Sequence, residues 1–222
     1  MSRKFKAVIF DMDGLMVDSM IHWLKLDEKW FEERGLELTQ DIVKYFTGRS
    51  IKENVTYLKD TFDLKESIDE IIQERKIWEN NIYTSETEEM PGIAKLLETI
   101  HKSPMRQAIA SGAPMTAVDA VADRFKWRHY FDELISSDHV EYVGKPDPGI
   151  FLHTADKLGI DPKDCVVFED AENGVVAAKR AGMMCVAVPD ERWSFGVFEE
   201  ADLIVDSLEN KQIYNYLGIS YE

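Results

Sequence analysis

Asp11 and Asp13 flank Met12 directly after the apolar run Phe5 to Phe10, and Gly14 follows as a turning point. Alternate residues of an extended segment share a face, so the two carboxylates can point into one site. A strand ending in such a pair reads as a catalytic loop, although Asp and Gly are also ordinary turn residues. Three later segments add complementary groups: Ser111-Gly112, Lys145, and Glu169-Asp170. Each has a plain structural reading. Ser111 could cap a helix, Lys145 could be an exposed loop lysine, and Glu169-Asp170 could place charge at a helix start. Taken together they are the parts of a phosphoryl-transfer site. Three carboxylates from two loops form a hard oxygen site of the kind Mg²⁺ takes. A serine hydroxyl and the N–H groups ahead of a helix bind phosphate oxygens, and a lysine neutralises charge near the nucleophile. One aspartate can then attack phosphorus to give an aspartyl-phosphate. A second carboxyl two residues on can protonate the leaving oxygen and later activate water.

The elements that must position these groups follow from hydrophobic periodicity. From about Val17 to Glu89 apolar residues recur at three- and four-residue spacing, as in Trp23-Leu24, Trp30-Phe31, Val55-Leu58 and Ile68-Ile71-Ile72. Breaks at Gly35, Thr47-Gly48 and Phe62-Asp63 divide this stretch into about four helices. From Met90 onward, short apolar runs alternate with helical segments. The runs are Arg106 to Ala110, Glu133 to Ser136, Asp164 to Phe168, Met184 to Val188 and Leu203 to Val205. Helices are expected from Pro91-Gly92 to about His101, from Pro114, from the Lys145-Pro146-Asp147-Pro148 loop to about Leu158, and over about Asn173 to Ala181. With Phe5 to Phe10 this predicts an α/β fold: a doubly wound, Rossmann-like, six-stranded parallel sheet with an inserted four-helix cap domain. The expected division is residues 1–16 and 89–222 for the core and 17–88 for the cap.

The chain has 222 residues, enough for one well-packed domain with a sizeable insert. It carries 26 basic and 42 acidic residues, a formal net charge of −16, which argues against nucleic acid or an anionic membrane surface as partner. The same charge means that a site for an anionic substrate must supply its own local positive charge. Cys165 and Cys185 lie in apolar runs and read as buried small hydrophobes, with no disulfide framework. Met1 to Lys6 shows no signal-peptide pattern, and no apolar run approaches the ~20 residues of a membrane span. A cytoplasmic protein is expected, with a monomer as the default. The closing residues Ile219 to Glu222 suggest no function.

The motifs Phe10-Asp11-Met12-Asp13-Gly14, Ala110-Ser111-Gly112, Gly144-Lys145-Pro146-Asp147-Pro148 and Phe168-Glu169-Asp170-Ala171-Glu172-Asn173-Gly174, in this order, resemble the haloacid dehalogenase-like phosphohydrolase superfamily. The resemblance spans essentially the whole chain. It is to the branch with a helical cap after the first motif, which includes β-phosphoglucomutase, phosphoglycolate phosphatase, sugar-phosphate phosphatases and pseudouridine-5′-phosphatase. It implies a Mg²⁺-dependent phosphatase of a small, sugar-phosphate-like metabolite that works through an aspartyl-phosphate. Asp11 would be nucleophile and metal ligand; Asp13 would be general acid/base and give its backbone carbonyl to the metal. Ser111 and the Gly112 amide would hold the phosphoryl group and Lys145 would neutralise it. Asp170 would bind the metal, with Glu169 touching it directly or bracing a group that does.

The cap is expected to set specificity. Arg49 and Lys52 form a basic pair after Thr47-Gly48, and in the resembled group this loop faces the substrate. Arg75 and Lys76 make a second candidate pair, for which a solvated helix face is the more ordinary expectation. The alternative activity is that of a β-phosphoglucomutase-type phosphomutase. That enzyme has a cap histidine ten residues after its second aspartate. Trp23 stands at the matching position here, and His22, one residue early, is rotated by ~100° on a helix, which favours hydrolysis. A non-catalytic phosphometabolite-binding regulator is the third reading, disfavoured by the intact Asp11, Asp13 and Lys145.

Overall fold

The computed structural model describes residues 5–141 and 143–221. Met1 to Lys4 and Glu222, which enter the leader and chain-end expectations, lie outside the described residues. Six strands form one parallel sheet: β1 (Ala7–Phe10), β2 (Arg106–Ala110), β3 (Glu133–Ile135), β4 (Cys165–Glu169), β5 (Met184–Ala187) and β6 (Leu203–Ile204). Their order across the sheet is β3-β2-β1-β4-β5-β6. Every strand anticipated from the sequence is present within one or two residues.

The strands are apolar on both faces because both are covered. Val8 and Phe10 of β1, with Val166 and Phe168 of β4, point into one cluster packed by α5 (Ile93–His101), α6 (Met115–Arg124) and α9 (Lys211–Leu217). Ala7, Ile9, Cys165 and Val167 point to the other, packed by α7 (Gly149–Leu158) and α8 (Glu172–Arg180). Small residues dominate the second face, Ala108, Ala110, Cys185 and Ala187 among them, so the helices can approach closely. Both cysteines are free and buried there, as expected. The sequence reading had no counterpart for α9. It is short, but Asn210 accepts from the Gln212 N–H at its start, Gly218 ends it in the left-handed region, and Ile213, Tyr214 and Leu217 are buried on one side.

Between β1 and α5 lie the four helices α1 (Ser19–Glu33), α2 (Gln40–Phe46), α3 (Ile51–Phe62) and α4 (Ile68–Asn81), followed by a π-helical turn, Ile82–Glu86. Ser50 and Ser67 each form a capping box with the glutamate three residues on, which sets the starts of α3 and α4. These helices have a core of their own, built from Trp30, Phe31, Ile42, Phe46, Val55, Leu58 and Ile71. The chain leaves and re-enters the sheet side by side: Asp18 N–H donates to Glu88 O at 3.0 Å and Met90 N–H to Met16 O at 2.9 Å. Among the described residues no helix is long and apolar enough to cross a membrane.

Candidate active site

The sheet order places β1 beside β4, where the winding direction reverses, and ligands of open α/β sheets bind in the crevice at that point. Phe10 pairs with Phe168 in register, and the Asp11 N–H continues the ladder to Phe168 O at 3.0 Å. Asp11 therefore leaves its strand level with Glu169 and Asp170. The three carboxylates offer oxygens that all lie within 4.8 Å of one another, and all three residues are buried. Neither acid of the Glu169-Asp170 pair caps α8 through its side chain; Glu169 instead accepts from the Ala171 N–H at 3.2 Å. A Cβ at Gly174 would fall inside the Glu169 carboxylate, so the first turn of α8 lies directly against it.

Lys145 is 1% exposed, which excludes the solvated-loop reading. It follows Gly144, and its peptide bond to Pro146 is cis. Its ammonium donates to Asp11 Oδ1 and, at 2.5 Å, to Glu169 Oε1. Burial is the largest influence on this amine and opposes its charge, but the Asp11 and Glu169 carboxylates outweigh it and raise its pKa above the usual lysine range. Burial likewise raises Asp11 against the pull of Lys145, pushes Glu169 up to about 7, and holds Asp170 well above the usual carboxylate range, with Glu169 and Asp11 adding to the shift. Fully ionised, three buried carboxylates would leave two negative charges beyond the one ammonium. Carboxylate oxygens converging in a dry site are the donor set of a hard dication, so the residues present fit Mg²⁺. Trp193 adds a brace: its indole N–H donates to Asp170 Oδ2 at 3.1 Å.

Asp13 is held by a separate set of donors. Ser19 Oγ donates to Oδ1 at 2.5 Å, Tyr83 Oη to the same oxygen at 2.8 Å, and Ser111 Oγ to Oδ2 at 3.3 Å. Trp23 Nε1 in turn donates to Tyr83 Oη at 3.1 Å. Burial, then the charge of Asp11, push Asp13 up to about 6, against those three hydrogen bonds. The two aspartates of the first motif thus sit in different surroundings, one beside an ammonium and the other among hydroxyls. Ser111 does not cap α6, whose N-cap is Pro114; its hydroxyl accepts from the Ala113 N–H and faces Asp13. Ser19, Tyr83 and Trp193 were not anticipated from the sequence. Only Ser19 is near a motif, and nothing in the spacing marks the other two.

The carboxylates open into a cavity of about 110 Å³. Asp11, Asp13, Gly112, Glu169 and Asp170 line the sheet side; Trp23, Asp27, Arg49, Asn54, Arg75 and Glu79 line the helical side. The loop at Thr47-Gly48 closes directly onto the strand ends: Lys145 N–H donates to Gly48 O at 3.3 Å and Asn173 Nδ2 to Thr47 O at 3.0 Å. A Cβ at Gly144 would approach the Arg49 backbone to 2.9 Å, so that glycine permits the close approach. The four cap cations fare differently. Arg49 lines the cavity, but its guanidinium lies over the Tyr45 ring, 4.3 Å from the centroid, with Glu53 at 3.7 Å. Lys52 is exposed and lines a separate surface depression with Glu53, Asp60 and Glu141. Lys76 is exposed, as expected of a solvated face. Arg75 is a correction: it is 4% exposed and paired to Asp27 at 2.5 Å, because its position on α4 faces α1 across the cavity rather than water.

The family model described as haloacid dehalogenase-like hydrolase matches residues 8–188. The "Probable pseudouridine-5'-phosphatase" of Drosophila melanogaster is 33% identical, over 93% of this chain and 91% of its own. The "Phosphorylated carbohydrates phosphatase" of Thermotoga maritima is 30% identical, over 80% of this chain and 82% of its own. Among solved structures, β-phosphoglucomutase from Clostridium difficile matches with a TM-score of 0.80 at 22% identity, covering 96% of this chain and 97% of that one, a likeness of fold. The matched span takes in all four motif loops, and the chain belongs to the haloacid dehalogenase-like hydrolase family.

Proposed function

We propose that this hydrolase is a Mg²⁺-dependent phosphatase that removes phosphate from a small, sugar-phosphate-like metabolite through an aspartyl-phosphate on Asp11. The observation that carries the reading is the pairing at the cavity floor of Asp11, held by Lys145, with Asp13, whose carboxyl is pushed up to about 6. Asp11, Asp170 and Glu169 would hold the metal, with the backbone carbonyl of Asp13; when bound, the ion offsets their charge and draws electron density from the phosphoryl oxygens. An Asp11 carboxylate oxygen attacks phosphorus, and the P–O bond breaks with its electron pair on the leaving oxygen. Asp13, protonated, supplies the proton there. Asp13, now ionised, then takes a proton from water, whose oxygen attacks phosphorus and restores the Asp11 carboxylate as phosphate leaves. Ser111 and the Gly112 amide hold the phosphoryl oxygens, and Lys145 favours the ionised form of Asp11 against its burial and balances charge on the transferring group.

The segment 17–88 acts as a cap domain over the core formed by 1–16 and 89–222, and closure of the Thr47-Gly48 loop excludes bulk water from the first half-reaction. The substrate class is supported by the Thermotoga maritima relative, a phosphorylated carbohydrates phosphatase. Hydrolysis is favoured over phosphomutase activity by Trp23, which lines the cavity and binds Tyr83, whereas His22 pairs with Glu86 at 3.2 Å. The test is phosphate release from p-nitrophenyl phosphate and a panel of sugar phosphates with Mg²⁺. Metal-dependent release lost in Asp11→Asn supports the reading. Activity that survives that substitution, or binding without turnover by the native protein, refutes it; efficient isomerisation of β-glucose 1-phosphate with a bisphosphate primer establishes the mutase.

A further inference from the structure

The helical wall of the cavity holds polar groups that the reaction at Asp11 does not use. Arg75 Nη2 donates to Asp27 Oδ1 at 2.5 Å, and both side chains are almost wholly buried. Arg75 Nε and Nη1 are buried with no hydrogen-bond partner among the described residues, and so is the Oδ1 of Asn54. Glu79, also buried, lines the wall one helical turn beyond Arg75. The Trp23 ring lies 5.6 Å from the Arg75 guanidinium and offers a flat apolar surface. Buried donors and acceptors without partners cost free energy unless something completes them. The residues that carry these unpartnered donors and this acceptor, Arg75 and Asn54, both line the cavity, and a hydroxyl is the group that both gives and accepts.

Charge narrows the choice. The Arg75 cation is matched by Asp27, and that of Arg49 has Glu53 beside it. Glu79 adds a carboxyl with no ion pair among the described residues; burial outweighs the pull of Lys76 and Arg75 and pushes it up to about 7, so it can also donate a proton to a hydroxyl oxygen. A second phosphate or a carboxylate placed here would meet Asp27, Glu79 and the Asn54 oxygen. We propose that this wall is a recognition site for the neutral, polyhydroxylated skeleton of the substrate, a polyol, sugar or nucleoside, and that it disfavours phosphorylated substrates with a second anionic group. Asp27, Arg75, Glu79 and Asn54 are its specificity residues, with Trp23 packing against the carbon skeleton. This deepens, and rests on, the phosphatase reading.

Two measurements test it. The first is kcat/KM for sorbitol 6-phosphate, fructose 1,6-bisphosphate and phosphoglycolate, each relative to p-nitrophenyl phosphate. The second is calorimetric binding of the same three compounds, with Mg²⁺, to Asp11→Asn. Replacing Asp27 alone would leave a buried cation unpaired, so the variant is the double substitution Asp27→Asn/Arg75→Gln, with Glu79→Gln as a second. Sites built to bond hydroxyls discriminate strongly against ligands that lack them. The expected result is at least tenfold preference for sorbitol 6-phosphate over both anionic compounds. The sorbitol-to-aryl ratio of kcat/KM should fall at least tenfold in each variant. Equal or better use of either anionic compound, or an unchanged ratio in both variants, overturns the proposal. If no phosphate is released from any compound, the phosphatase reading fails, and the binding order on Asp11→Asn still judges the wall. Failure of all three to bind also overturns it.

Discussion

Removing divalent cations should make this protein lose stability as pH rises from 5 to 8. In the metal-free fold Glu169 is pushed up from 4.5 to about 7 and Asp13 from 3.8 to about 6, both chiefly by burial. A raised pKa means that the folded state holds its proton more tightly than the unfolded chain does. The resulting stabilisation is fully present below the unfolded values and is lost as pH climbs through the folded ones. At about 1.4 kcal/mol per unit, about 4 kcal/mol disappears between pH 5 and 8. That is a large share of an ordinary stability of roughly 5–15 kcal/mol. At about 2–4 °C per kcal/mol for a chain of this size, the melting temperature in EDTA should fall by about 10 °C. Glu79, which burial also pushes up to about 7, titrates in the same window with the same sign and deepens the fall. Glu169→Gln, which cannot ionise, should flatten the slope and serves as the control. Mg²⁺ should raise the melting temperature little at pH 5 and most at pH 8, since it replaces the protons. Differential scanning fluorimetry across pH, with EDTA or Mg²⁺, reads all of this. A flat or rising profile in EDTA, or a Mg²⁺ effect that does not grow with pH, would show that the carboxylate cluster is not the uncompensated charge described here.

Other substitutions probe single contacts. Asp13→Asn should retain Mg²⁺ binding by calorimetry while lowering kcat by about 10²–10⁴-fold, the usual contribution of a positioned acid or base; near-native turnover would remove Asp13 from that role. Tyr83→Phe deletes the hydroxyl that donates to Asp13 at 2.8 Å. A hydrogen bond to a charged group is worth about 1.5–3 kcal/mol, so Asp13 should keep its proton to higher pH. The basic limb of the kcat/KM profile should then move up by about one unit at saturating Mg²⁺, and a fixed limb would argue against any such influence. Trp193→Phe removes the indole donor to Asp170 and should weaken Mg²⁺ about 10–100-fold, the usual cost of losing a group that orients a ligand; unchanged affinity in a titration would contradict it. Gly174→Ala puts a methyl group where Glu169 lies and should cost about 1–3 kcal/mol, read as a lower melting temperature in both EDTA and Mg²⁺.

The sheet, the inserted helices and the four motif loops were legible because each depends on local pattern. Short continuous apolar runs define strands buried on both faces, and three- and four-residue spacing defines α1 to α4. Strand ends carry the polar residues because ligands approach there. That is why Asp11, Asp13, Ser111, Lys145 and Glu169-Asp170 could be named without coordinates, although the sequence left Lys145 as readily solvated as buried. The helix α9 was overlooked because seven residues give too little periodicity to stand out, although Asn210 and Gly218 mark both its ends.

What the chain by itself determined is the chemistry on offer and the elements that carry it, since residue type and short-range spacing suffice for both. Tertiary structure decided which groups meet. Parallel pairing of β1 with β4 set Asp11 level with Glu169, and the fold brought Tyr83 to Asp13 across 70 positions of sequence. It also turned Arg75 inward onto Asp27 while leaving Lys52 and Lys76 on the exposed surface. Neither composition nor periodicity contains these choices, because the side of a helix that faces a cavity is settled by what packs against it.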